Sequence, residues 1–131
     1  VYIFITESTY NLIDEKAFII RTIDNIRVVG KSESVKTYEI ISKANHPNAH
    51  ELKTWASLWE KGRLAYENQE WEKAISIFTE TLKEEPHHPD IDPGSLTTPS
   101  HVYIERCMEY QKNPPVANGE IWDKVYNATH K

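Results

Sequence analysis

The sequence RTIDNIRVVGKSESVKTYEI, from Arg21 to Ile40, carries the strongest folding signal in this chain. Both of its ends are rich in β-branched and aromatic residues, which favour extended strands over helix. Between them lies Gly30-Lys31, and glycine accepts the positive φ that a tight turn requires. The sequence therefore predicts strands at residues 17–23 and 26–29, a turn at Gly30, and a strand at residues 35–41.

The N-terminal residues extend this β pattern. The run from Val1 to Ile5 is apolar and β-branched, which predicts a short strand buried on both faces. Thr6 or Ser8 follows it, and either side chain can accept an orphan backbone N–H at the start of a short helix.

Residues 51–85 have a different, helical periodicity. Their apolar side chains recur at three- and four-residue spacing, as they do on one face of a helix. The polar break Asn68-Gln69-Glu70 separates two such faces and predicts an antiparallel helix pair. A third helix is predicted from Thr98-Pro99 to Lys112, because threonine can cap a helix and proline is favoured at the first helical position. The tail, residues 121–126, is predicted to be a further turn or two of helix. Strands followed by helices make the predicted fold class α+β.

The β segment resembles a known enzyme family. Residues 21–35 resemble the last strands of the class III adenylate/guanylate cyclase catalytic domain. There, an R-x-L-D-x-(I/V)-R-V-K-G-K-S-E-P-V run leads into a strand beginning Y-E-(I/L), which here is Tyr38-Glu39-Ile40. The chain begins Val1-Tyr2-Ile3 and its single methionine is Met108. We therefore expect it to be the C-terminal piece of a longer protein.

The helical segment resembles one tetratricopeptide repeat, a helix–turn–helix unit of 34 residues. Lys61 departs from the repeat, where leucine is usual, and so does Thr81, where alanine is usual. Bacterial class III cyclases often end in a helical extension of this kind, with a cysteine-containing helix, an Asn-Pro-Pro stop and a Trp-Asp tail. The repeat positions that match are Leu58, Gly62, Tyr66, Ala74, Phe78 and Pro86. All of them except Leu58 are expected to pack the helix pair.

Three regions follow from these two resemblances. Residues 1–43 are expected to be the end of a cyclase catalytic domain, and residues 44–50 a linker. Residues 51–131 are expected to be a tetratricopeptide-like helical extension.

The cyclase resemblance implies the chemistry of the parent protein. The parent would convert a nucleoside triphosphate to cyclic AMP or cyclic GMP, and would act as a homodimer through its catalytic domain. Two aspartates that bind Mg²⁺ or Mn²⁺ would lie upstream, so this fragment itself would have no catalytic residue and no metal ligand. In the family's Lys-Gly-Lys turn the first lysine meets the terminal phosphates in some members, and Val29 stands there in this chain. Lys31 is the remaining candidate for binding substrate phosphate, as a point charge.

The other polar residues have structural explanations. The acidic residues Glu7, Asp14, Asp24 and Glu33 do not form a metal-binding pattern. His46 and His50 flank Pro47 and so do not share a helix face, and His87-His88 is expected to be in a surface loop. Cys107 lies on an apolar helix face, where a packing role is expected.

Charge and hydropathy argue against nucleic acid and a membrane as partners of this chain. The net charge is −5 and the pI is about 5.7, which gives no electrostatic footprint for nucleic acid. No apolar run approaches the ~20 residues that span a bilayer, so we expect no membrane segment here and a cytoplasmic location.

The alternative function is a helical protein-interaction or regulatory module without cyclase activity. An upstream metal-binding aspartate motif and an Asn-x-x-x-Arg helix would favour the cyclase function over this alternative.

Overall fold

The computed structural model describes residues 3–85 and 98–128. Their contacts divide the chain into two units. The sheet unit comprises residues 1–49 together with 119–131, and the helical unit comprises residues 50–118.

A mixed sheet forms the sheet unit. Within the described residues its order is β1-β3-β2-β4, with β3 antiparallel to both β1 and β2, and β4 parallel to β2. A one-turn helix, α1 (Glu7–Tyr10), and a 3₁₀ turn (Glu15–Ala17) connect β1 to β2. Thr6 caps α1, as its Oγ1 accepts from the backbone N–H of Thr9. The strands are β1 (Ile3–Thr6), β2 (Phe18–Arg27), β3 (Val35–Lys43) and β4 (Tyr126–Asn127).

The β2–β3 hairpin is the one that the sequence predicts. Ile20 pairs with Ile40 and Ile26 pairs with Val35, so the strands meet across the predicted turn. The two strand segments predicted before the turn are one continuous strand. A shift in register between Thr22 and Asp24 lies just before the predicted gap at residues 24–25, and β2 ends at Arg27, two residues before the predicted end.

The prediction that β1 is buried on both faces is wrong. Ile3 and Phe4 are 54% and 53% exposed. β1 pairs with β3 alone in the described part of the chain, at one end of the sheet. A strand with a neighbour on one side only is covered less than a central strand.

The predicted helices are present in the helical unit. They are α2 (Ala49–Glu67), α3 (Trp71–Lys83) and α4 (Pro99–Lys112). Thr98 caps α4 as predicted, since its Oγ1 accepts from the N–H of His101 at 3.3 Å. Helix α2 begins at Ala49, inside the segment predicted to be a linker. None of the helices in residues 3–85 and 98–128 is long and apolar enough to span a membrane.

Contacts between α2 and α3 run in opposite directions along the two helices. The Trp55 Nε1 donates to the carbonyl oxygen of Thr81 at 3.0 Å, whereas Tyr66 meets Trp71 with ring centroids 5.8 Å apart. The pair is therefore antiparallel. On α4, Tyr103 stacks on Phe78 of α3 with centroids 5.0 Å apart, which adds a third helix to the same core.

The prediction that the tail is helical is wrong. Tyr126–Asn127 forms β4, and Lys124 has a φ of 66°, which an α-helix does not allow. Trp122 and Val125 are buried, and their spacing of three mimicked a helical period. An apolar pattern this short does not separate helix from strand.

Candidate functional site

The turn between β2 and β3 holds the predicted phosphate-binding residue. Gly30 has a φ of +84°, which explains the glycine. The backbone N–H of Lys31 donates to the carbonyl oxygen of Val28 at 3.0 Å and closes the turn. The Lys31 side chain is exposed, and the neighbouring Val29 is 42% exposed. The Lys31 side chain is therefore accessible to a ligand that binds over the turn.

Arg27, the last residue of β2, stabilises this turn and contacts residues near the end of the described chain. Its Nε donates to the carbonyl oxygen of Ser32 at 3.1 Å, and its Nη1 donates to Oδ1 of Asn127 at 2.7 Å. Its Nη2 lies 3.4 Å from Oδ2 of Asp123. Sequence reasoning missed this cluster, because nothing local to Arg27 points to acceptors about 100 residues away.

A buried ion pair links β2 and β3 at a position further from the turn. Arg21 and Glu39 are directly opposite each other on β2 and β3, and the Arg21 Nε lies 2.5 Å from Oε1 of Glu39. Both side chains are fully buried. Glu39 is the glutamate of the Tyr-Glu-Ile strand that carries the family resemblance.

The acidic side chains of the sheet unit have local roles. The Asp14 carboxylate accepts from the N–H of Lys16 and caps the 3₁₀ turn. Oδ1 of Asp24 accepts from the N–H of Asn25. Glu7 and Glu33 are exposed. No group of three or more metal-ligating side chains occurs in residues 3–85 and 98–128, so the residues described there do not fit a Mg²⁺ or Mn²⁺ site.

The histidines and the cysteine do not form a reactive site in the described residues. His46 Nδ1 accepts from the N–H of Asn48, and His101 lies 3.3 Å from Glu105. Cys107 is fully buried, and burial raises the pKa of its thiol to about 12 even though Arg106 lowers it. His87 and His88 lie outside the described residues.

The residues predicted to pack the helix pair lie at the centre of the helical unit. A Cβ added to Gly62 would lie 2.8 Å from Cε1 of Phe78, so only glycine allows this approach. Ala74, Phe78 and Tyr66 are buried. Burial raises the pKa of the Tyr66 hydroxyl far above its usual range, although Nη1 of Arg106 donates to that hydroxyl. Pro86 lies outside the described residues.

A groove of about 590 Å³ runs along α2 and α3. Trp55 and Leu58 supply its apolar surface. Lys61 and Lys83 line it together with acidic residues of both helices, so its charge is mixed.

The comparisons with known proteins give one curated match. The chain is 31% identical over 107 residues to the terminal-differentiation specific adenylate cyclase of Dictyostelium discoideum. The match covers 81% of this chain but only 4% of the length of that relative. No protein-family model matches the chain, and no solved structure matches it.

This chain is similar to part of an adenylate cyclase. The match agrees with the family that the Arg21–Ile40 pattern resembles.

Proposed function

We propose that this chain is the C-terminal part of a class III nucleotidyl cyclase that acts in signal transduction. The observation that carries the proposal is the β2–β3 hairpin, whose Arg27-Val28-Val29-Gly30-Lys31 end has the family's pattern except at Val29. The 31% identity to an adenylate cyclase over 107 residues extends this support beyond the hairpin.

The parent reaction makes a cyclic nucleotide, either cyclic AMP or cyclic GMP. The 3′ oxygen of the nucleoside triphosphate forms a bond to the α-phosphorus, the bond from that phosphorus to the bridging oxygen breaks, and pyrophosphate leaves. The hydroxyl proton passes to solvent. Lys31 is proposed to contact the terminal phosphates as they become the leaving group. Mg²⁺ or Mn²⁺ would be held by aspartates outside this chain.

The helical unit is proposed to be one tetratricopeptide-like repeat plus a helix. The close approach at Gly62 and the buried Phe78 support this proposal, since the repeat places a small residue and an aromatic residue there. Such arrays need about three repeats to be stable and to form a binding groove. We therefore propose that this unit packs or orients the cyclase dimer, and that the parent is a cytoplasmic homodimer unless other segments anchor it.

The test uses the longer protein that contains these residues. Purified protein is assayed with ATP and with GTP in the presence of Mg²⁺ or Mn²⁺, for the wild type and for Lys31→Ala. A charge-assisted hydrogen bond contributes roughly 1.5–3 kcal/mol, so kcat/KM is expected to fall by about tenfold to a hundredfold. Val29→Lys restores the family's first lysine and is expected to lower KM.

Two outcomes would contradict the proposal at different points. A longer protein that makes neither cyclic nucleotide would contradict the cyclase function and support the alternative, a helical interaction module. An active protein in which Lys31→Ala leaves kcat and KM within about twofold would contradict only the role of Lys31. The matched control is Lys43→Ala, a change of another exposed lysine of the same hairpin, at the end of β3 far from the turn.

A further inference from the structure

Arg27 joins two parts of the chain that lie 100 residues apart. Its Nη1 reaches Asn127 of β4 at 2.7 Å, and its Nη2 reaches Asp123 at 3.4 Å. Its Nε reaches the carbonyl oxygen of Ser32, on the far side of the Gly30 turn. One guanidinium group thus holds the turn and the C-terminal segment at the same time.

The backbone of β4 reinforces this junction. Tyr126 pairs with Ile26 and Asn127 pairs with Arg27, the last two residues of β2 before the turn. The N–H of Ala128 then donates to the carbonyl oxygen of Arg27 at 2.9 Å. The buried side chains of Trp122 and Val125 anchor the segment just before β4. The contacts of Arg27 add the polar link between this segment and the turn.

The geometry of arginine makes the two sets of contacts depend on each other. Its guanidinium is planar and presents its N–H donors in a rigid fork, so an acceptor on one side orients the donors on the other. Without Asn127 the side chain regains rotamer freedom, and Ser32 loses a donor held in place.

We infer that Arg27 is a positioning residue, which fixes the turn carrying Lys31 only while β4 is docked on β2. The C-terminal segment is then part of the nucleotide site although it does not touch the nucleotide. Any event that withdraws β4 weakens the phosphate contact, and by linkage a bound nucleotide favours docked β4. The statement about nucleotide rests on the proposed function, whereas the coupling between turn and strand does not.

The coupling is tested by amide hydrogen exchange, measured by NMR on the 131-residue chain. The amides of Lys31 and Ala128 report on the turn and on β4, and those of α3 are the internal reference. Asn127→Ala is expected to raise exchange at both reporters by about fivefold to tenfold, as for loss of one hydrogen bond with net value near 1 kcal/mol. Exchange in α3 is expected to stay unchanged.

Four further variants serve as controls for this comparison. Asn48→Ala changes an exposed asparagine before α2 and is expected to alter neither reporter. Asp123→Asn weakens an exposed ion pair, so its effect is expected to be smaller than about fivefold. A chain ending at Asn118 is expected to show fast exchange at Lys31, whereas a chain ending at Ala128 keeps the contacts of Arg27 and behaves like the whole chain.

Two results would overturn the coupling. In one, Asn127→Ala accelerates exchange at Ala128 but leaves Lys31 within about twofold. In the other, α3 accelerates as much as Lys31, which indicates a general loss of stability and no specific link.

Kinetics in the longer protein test the positioning role. Arg27→Ala is expected to raise KM by about threefold to tenfold in the wild-type background. In the Lys31→Ala background it is expected to add less than about twofold, because both changes act on one contact. Fully additive losses would contradict the role of Arg27. If the longer protein makes no cyclic nucleotide, the proposed function fails, and the exchange experiment still decides the coupling.

Discussion

The Arg21–Glu39 pair shows how one contact fixes the hairpin. A buried ion pair adds little net stability, because removing both charges from water costs about as much as their attraction returns. Removal of a single partner is costly, since it leaves a buried charge behind. A slip of β2 by one residue would turn its side chains to the opposite face and separate the two charges. The pair therefore selects the observed register of β2 against β3, and with it the position of the turn.

Cys107 gives a prediction at the same scale. Burial raises its pKa from 9.0 to about 12, so the thiol stays protonated in the folded protein at neutral pH. At pH 8 we expect labelling by a disulfide reagent to be roughly a thousandfold slower in the native protein than in guanidinium, because only the thiolate reacts. A folded pKa above the unfolded one also means that this thiol contributes stability below about pH 9, which is lost as the pH rises towards 12.

Absorbance of the released thiol checks the Cys107 prediction, with Cys107→Ala as the blank. Equal labelling rates in native and denatured protein would show that the thiol is exposed.

The elements of the helical unit depend on one close approach. Gly62 of α2 faces Phe78 of α3, and a Cβ at residue 62 would also lie 3.1 Å from Cγ2 of Ile77. Trp59 contacts the Phe78 ring with centroids 5.0 Å apart. The absence of a side chain at Gly62 therefore leaves room for the Phe78 ring, which packs at the centre of the helix pair.

Phe78→Ala is expected to destabilise the chain by about 3–5 kcal/mol, because a fully buried ring is removed from a packed core. Urea unfolding followed by tryptophan fluorescence measures the change. Lys83→Ala is the control, since it removes only an exposed ion pair with Glu80 and is expected to cost less than about 1 kcal/mol. Equal costs for the two substitutions would be incompatible with the packing seen around Gly62.

The elements that the sequence predicts well are those specified locally. The Gly30 turn, the Thr98 cap and the helical periods of α2 and α3 each depend on residues close together in the chain. β4 does not, since Tyr126 finds its partner Ile26 only when the whole chain has folded. Arg27 was missed for the same reason. The exposure of Phe4 depends on which strand ends the sheet, and no pattern in β1 indicates that.

At the scale of the whole molecule, the helical unit is inserted in the sequence between β3 and β4, two strands of one sheet. The predicted extension ran from residue 51 to residue 131, whereas contacts group residues 119–131 with the strands. The helical unit is thus connected to the sheet unit at both of its ends. Substitutions in the helical unit are therefore expected to leave the sheet unchanged only if residues 123–127 still contact Arg27.

The complete chain is expected to make no cyclic nucleotide by itself. The metal-binding aspartates are proposed to lie outside these 131 residues, and residues 3–85 and 98–128 contain no group of three or more candidate ligands. The measurement is cyclic AMP and cyclic GMP formed from ATP and GTP with Mg²⁺ or Mn²⁺, against a heat-treated sample. Turnover above that sample would place the catalytic residues within these 131 positions.

The parallel pairing of β4 with β2 also has a consequence for how the protein is made. During synthesis β2 and β3 leave the ribosome before β4, which lies about 100 residues further along the chain than its partner β2. Until then the edge of β2 near the turn offers open backbone groups, to which a strand of another molecule can add. Folding of the helices first shortens the effective loop that β4 must close, which lowers the entropy of closure. A nascent chain that stalls before β4 is made, or one cut by a protease before β4, is therefore the form most prone to exchange strands with a neighbour.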